Sequence, residues 1–152
     1  MNNMGKTFSS MVMAAGIAFI GACGSSGGGG DSGSCGAAGT SCVSVAGTWS
    51  TTEQVSASSC GSAHTDYNTY TVTQTGCTLA VTSGAGTFNG VVNGSQICWT
   101  GSYASNGGTT TITSLSLTVD QSGNSLQGTS NWKWSSGLSS CSGSTQVTGT
   151  KS

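Results

Sequence analysis

Residues 109–135 read TTTITSLSLTVDQSGNSLQGTSNWKWS. Two runs rich in Thr, Leu, Val and Trp, Thr109–Val119 and Ser125–Ser135, flank a polar turn that contains Gly123-Asn124. Successive side chains of a strand point to opposite faces, so residues two apart share a face. Leu115, Leu117 and Val119 then share one face of the first run, and Trp132 and Trp134 share one face of the second. Ile112 and Ser114 fall in the opposite phase from Leu115, which places an irregularity between the two groups. β-Branched and aromatic residues suit a pleated surface. Gly and Asn supply the backbone conformations that tight hairpins need. The stretch reads as an antiparallel hairpin.

The same grammar extends in both directions. Further strands are expected at about Val45–Val55, Tyr67–Thr75, Cys77–Ser83, Thr87–Val92, Gln96–Tyr103 and Cys141–Lys151. The breaks fall at Gly84-Ala85-Gly86, Asn93-Gly94 and Asn106-Gly107-Gly108. No segment sustains a helical period. Short strands at regular spacing with turn signals between them mark an all-β sandwich or barrel. A small repeat favours closure: Phe88-Asn89-Gly90, Trp99-Thr100-Gly101, Leu126-Gln127-Gly128 and Val147-Thr148-Gly149 each read large-x-Gly. A large side chain and a glycine on one face suit a tapered barrel interior. The expected fold is all-β, an antiparallel up-and-down barrel of about eight strands over residues 43–152. Ile97, Trp99 and Tyr103 are expected on one face, and Tyr70 and Val72 on opposite faces of a strand whose register stays open.

Only 5% of the 152 residues are charged, the net charge is -1, and there are 26 glycines and no proline. The cations are Lys6, Lys133 and Lys151. Nucleic-acid binding needs clustered cations to displace counterions from phosphates, and this chain has no such cluster.

Residues 1–42 follow other rules. Met11–Ala22 (MVMAAGIAFIGA) is a continuous apolar run behind a short polar start bearing Lys6. About 12 residues fall short of the roughly 20 that span a bilayer as a helix, and fit the core of a secretory signal, about 7–15 residues. Ile20-Gly21-Ala22-Cys23 resembles a lipobox, the cleavage motif of bacterial lipoproteins. The resemblance implies removal of residues 1–22 as a signal peptide and lipidation of Cys23. Two or more acyl chains anchor a protein stably. Gly24 and Ser25 are not the inner-membrane retention signal of the common proteobacterial pattern, so the resemblance favours the outer membrane. Gly24–Ser34 (GSSGGGGDSGS) reads as a flexible tether spanning on the order of 20 Å. Residues 23–42 are grouped as lipidated cysteine and linker.

Setting Cys23 aside leaves Cys35, Cys42, Cys60, Cys77, Cys98 and Cys141. An even count in an exported chain points to disulfides. Zinc is disfavoured because no CxxC pair occurs and His64 is the sole histidine. Spacing does not choose among the pairings; the preferred set is Cys35–Cys42, Cys60–Cys141 and Cys77–Cys98.

Gly47-Thr48-Trp49 resembles the GxW signature of the calycin barrels, which include the lipocalins, fatty-acid-binding proteins and avidins. The resemblance implies that Trp49 plugs one barrel end with a basic residue of the last strand across it, here Lys151. Calycins usually offer arginine at that place, and lysine cannot stack as a plane.

Catalytic constellations are not apparent, and no enzyme activity, metal or cofactor is expected. His64 is followed by Asp66, but the segment Cys60–Tyr67 (CGSAHTDY) reads as a polar loop and a candidate contact loop. No nucleophile elbow occurs. Glycoside hydrolysis would need two carboxylates brought together out of Glu53, Asp66 and Asp120. The expected function is a membrane-tethered binding barrel for a small apolar ligand, with Trp99, Tyr103, Trp132 and Trp134 as candidate contacts. The alternatives are a protein-interaction or hydrolase-inhibitor module and a passive surface component. An interior cavity separates the first from the last.

Overall fold

A computed structural model describes residues 35–152. The expected signal peptide, Cys23 and the whole Gly24–Ser34 tether lie outside the described residues. The strands are β1 (Gly47–Val55), β2 (His64–Thr75), β3 (Thr78–Ser83), β4 (Gly86–Asn93), β5 (Gln96–Ser105), β6 (Gly108–Val119), β7 (Ser125–Ser135) and β8 (Ser140–Lys151). Each pairs antiparallel with the next, and β1 pairs with β8, so the sheet closes into an up-and-down barrel. Closure leaves no unpaired strand edge, which a chain without edge prolines would otherwise need to protect.

The 109–135 hairpin forms β6 and β7, with Thr109 opposite Ser135 and Val119 opposite Leu126. Its register shifts between Ile112 and Ser114, one residue earlier than the phase change in the sequence suggests. The extra residue lets both Ile112 and Leu115 turn toward the interior. The Asn106-Gly107 turn takes φ of 49° and 73°. A two-residue hairpin turn matches the strand twist only with positive φ at both positions. Tyr70 and Val72 both turn inward, not to opposite faces: they are two residues apart on a regular strand.

The large-x-Gly repeats interlock in pairs. Gly90 lies opposite Trp99, while the place where a Gly101 side chain would start is 2.5 Å from a Phe88 ring carbon. On the far wall, Leu126 lies opposite Gly149 and Val147 opposite Gly128. Each large side chain lies over its neighbour's glycine, so the strands approach closely.

β1 runs from one barrel end to the other, and its start marks the closed end. Trp49 is 1% exposed there, and its Nε1 donates to the Val45 carbonyl at 2.9 Å. Lys151, register partner of Trp49, holds its Nζ 5.4 Å from the ring centroid and donates to the Ser44 carbonyl at 3.3 Å. A cation so placed over an indole contributes about 0.5–1 kcal/mol at an exposed site. Leu117, Val81 and Val92 are fully buried in the core, each worth about 1.5–3 kcal/mol relative to exposure.

Residues 35–46 cross the closed end as a strap. Gly39 donates to Val92 O, and Val43 donates to Gly94 O, each at 2.9 Å. The Gln74 amide grips the strap from both sides: Oε1 accepts from Val45 N–H at 2.7 Å, and Nε2 donates to Val43 O at 3.2 Å. Residues 35–42, grouped on sequence with the linker, therefore belong to the barrel.

Disulfides fix this arrangement. Cys60–Cys141 forms as expected, but the other pairs are Cys35–Cys98 and Cys42–Cys77, not Cys35–Cys42 and Cys77–Cys98. The reason is the strand order. Cys77 and Cys98 flank opposite sides of β4: Val92 N donates to Cys77 O, while Val91 is the register partner of Cys98. Two strand spacings, about 10 Å, exceed the reach of a disulfide. The strap cysteines instead reach one each. Three disulfides suit an oxidising, exported environment.

Candidate functional site: an interior cavity

At the other end, residues 56–63, 84–85, 106–107 and 136–139 connect the strands. Below them the barrel encloses a cavity of about 550 Å³. Its floor is apolar, formed by Trp49, Leu79, Val81, Leu117 and Leu126; its rim is polar, with Ser58, Ser62 and Ser139. Ligand sites in proteins span about 300–1,000 Å³.

The walls explain why the interior is not filled. All four expected contacts, Trp99, Tyr103, Trp132 and Trp134, line the cavity. Trp132 lies across from Gly143, where an added Cβ would overlap its ring. Trp134 packs against Gly108, with an added Cβ 2.7 Å from the ring. Each indole thus lies against a neighbouring strand instead of projecting across the barrel. Their polar atoms are also satisfied: Trp132 Nε1 donates to Thr145 Oγ1 at 3.1 Å, and Trp134 Nε1 to Ser105 O at 2.9 Å. A held indole offers its face to a ligand.

One wall carries the charge. Glu53 on β1 and Asp66 on β2 are register partners, and both line the cavity. Tyr70 OH donates to Glu53 Oε1 at 2.7 Å, and Thr51 Oγ1 donates to the same oxygen at 3.2 Å. Burial, with Glu53 beside it, raises the Tyr70 hydroxyl well above its ordinary range. Burial likewise pushes Tyr103 up to about 12. Both hydroxyls stay protonated and able to donate across the physiological range.

Nearer the rim, His64 and Asp66 touch, with Nε2 3.3 Å from Oδ2. His64 Nδ1 also faces the Ser62 carbonyl at 3.0 Å. With acceptors at both ring nitrogens, both bonds form together only when the ring carries both protons. The sequence reading placed these residues in a loop. In the structure β2 begins at His64, so His64 and Asp66 sit two apart on one inward face. The inward period His64, Asp66, Tyr70, Val72 was present in the sequence, masked by the polarity of CGSAHTDY. The pairing of Glu53 with Asp66 was missed as well, because it depends on register between strands. Tyr67, by contrast, faces outward and is 79% exposed, as a contact residue would be.

Among the described residues no group of three or more His, Cys, Asp or Glu could hold a metal ion. The site combines an apolar floor, aromatic walls and one acidic patch, an arrangement that suits reversible binding. No known protein family, curated protein or solved structure matches the chain.

Proposed function

We propose that this chain is an exported bacterial lipoprotein, held at a membrane by lipid on Cys23, whose barrel binds a small, mostly apolar ligand. The cavity of about 550 Å³ carries the reading. A passive coat protein gains nothing from an empty interior, since voids forfeit packing energy. Here Gly143 and Gly108, which lie against the rings of Trp132 and Trp134, keep those rings against the wall, which keeps the space open. The lipobox-like Ile20-Gly21-Ala22-Cys23 and the disulfides support export, and the residues after Cys23 favour the outer membrane.

Two measurements test the two halves. Tryptophan fluorescence titrated with a panel of apolar ligands should change saturably for at least one class; a flat response across the panel refutes the binding reading. Fractionation of a Cys23→Ser variant should find it soluble or uncleaved, and normal membrane retention refutes the lipid anchor.

A further inference from the structure

We propose that the ligand carries one cationic nitrogen on its apolar body and that Glu53 is its counter-ion. This rests on the cavity being a binding site and adds the chemistry of the head group. The whole chain has four acidic residues, and two of them face each other across β1 and β2 on the inner wall. Like charges directly opposite destabilise a strand pair, so the placement calls for a compensating cation. Asp66 has His64 as its neighbour at the rim, with Nε2 3.3 Å from Oδ2. Glu53, directly across from it, takes its hydrogen bonds from the neutral hydroxyls of Tyr70 and Thr51. Both fall on Oε1, so Oε2 is the oxygen offered to the cavity. The two lysines among the described residues are elsewhere: Lys133 is exposed on the outer face of β7, and Lys151 caps the closed end.

The aromatic lining of the cavity points the same way. Tyr70 and Trp99 line the cavity with ring centroids 6.3 Å apart and planes tilted by 47°. Aromatic faces attract a cation held within about 6 Å. An ammonium at Glu53 thus meets a carboxylate beside the Tyr70 hydroxyl, while its apolar body reaches the aromatic walls and the floor at Leu79 and Leu117. A carboxylate head would instead bring a third negative charge to a wall without a lysine. Fatty acids are therefore disfavoured.

The test uses three probes with one body, 4-phenylbutylamine, 4-phenylbutanol and 4-phenylbutanoate. Each is titrated calorimetrically into the full chain in lipid nanodiscs, with empty nanodiscs subtracted. The amine should bind at least about tenfold more tightly than the alcohol, a difference of one decade in Kd, and the carboxylate weakest. In Glu53→Gln the amine-to-alcohol ratio should fall toward one. Asp120→Asn, which removes the same charge from an exposed turn, should keep the ratio. Unfolding temperatures of both variants report that the fold is intact. An alcohol that binds as well as the amine overturns the cationic head group and leaves the cavity reading standing. An amine preference that survives Glu53→Gln overturns the role of Glu53. Failure of all three probes to bind overturns both.

Discussion

Gly128→Ala should be among the most damaging single-methyl additions to this protein. An added Cβ would overlap the Ser116 carbonyl oxygen and lie 2.8 Å from Leu117 Cα. Both obstacles are backbone atoms of β6, so no side-chain rotation relieves them. The ladder between β6 and β7 must shift where Leu117 and Gly128 are register partners. Forcing extra volume into a packed interior costs about 1–3 kcal/mol. For a domain of this size each kcal/mol lowers Tm by about 3–6 °C, so a fall of about 3–18 °C is expected. Gly84→Ala is the control, because an added Cβ there meets nothing within 4 Å. Restricting the unfolded chain at such a place stabilises by about 0.4–1 kcal/mol. Thermal unfolding followed by near-ultraviolet circular dichroism compares them. If Gly128→Ala melts within 1 °C of the parent (an order-of-magnitude resolution for such scans), or no lower than Gly84→Ala, the interlocking account of the glycines is wrong.

Alkaline titration should find two late phenols: absorbance at the phenolate band should show Tyr103 ionising near pH 12, with Tyr70 also late. The folded pKa of Tyr103 is raised, so its contribution is complete below about pH 10 and lost as pH rises through 12, up to about 3 kcal/mol at roughly 1.4 per unit. A single step at the ordinary tyrosine pKa would contradict the burial. Replacing both Cys60 and Cys141 by Ser opens a link 81 residues apart in sequence. Chain entropy sets the loss at about 4 kcal/mol, read as a lower denaturant midpoint; an unchanged midpoint refutes it. Asp120 sits at about 2 because Ser122 Oγ and the Ser125 and Asn124 amides donate to it. Its contribution is present above about pH 4 and disappears as pH falls through 2. An NMR titration of the Asp120 carboxyl carbon should follow that curve, and an ordinary carboxylate midpoint would show that the turn is not held this way.

Much of the barrel was legible because strand identity is a local property. The alternation in residues 109–135, the glycine breaks and the large-x-Gly repeats each lie within one or two strands. Lys151 comes to Trp49 because the first and last strands pair antiparallel, as the GxW resemblance implies. What stayed hidden depends on contacts between strands. Cys77 and Cys98 look local in sequence but flank β4 on opposite sides. Glu53 and Asp66 gain meaning only as register partners. Four tryptophans fit a filled core as well as a walled cavity. Gly108 and Gly143, on strands neighbouring the indoles, decide between them. The polarity of CGSAHTDY hid the start of β2, since an inward charged face imitates a loop.

The central claim is that the barrel interior admits a ligand. Heavy-atom quenching tests it most directly, because Trp99, Trp132 and Trp134 all line the cavity and quenching by bromine requires contact. A bromine-bearing alkylamine titrated into the full chain should quench saturably at one ligand per barrel, and the unbrominated amine should reverse the effect. Quenching that rises linearly without saturation, and that the unbrominated amine does not reverse, would mean the ligand never enters the barrel.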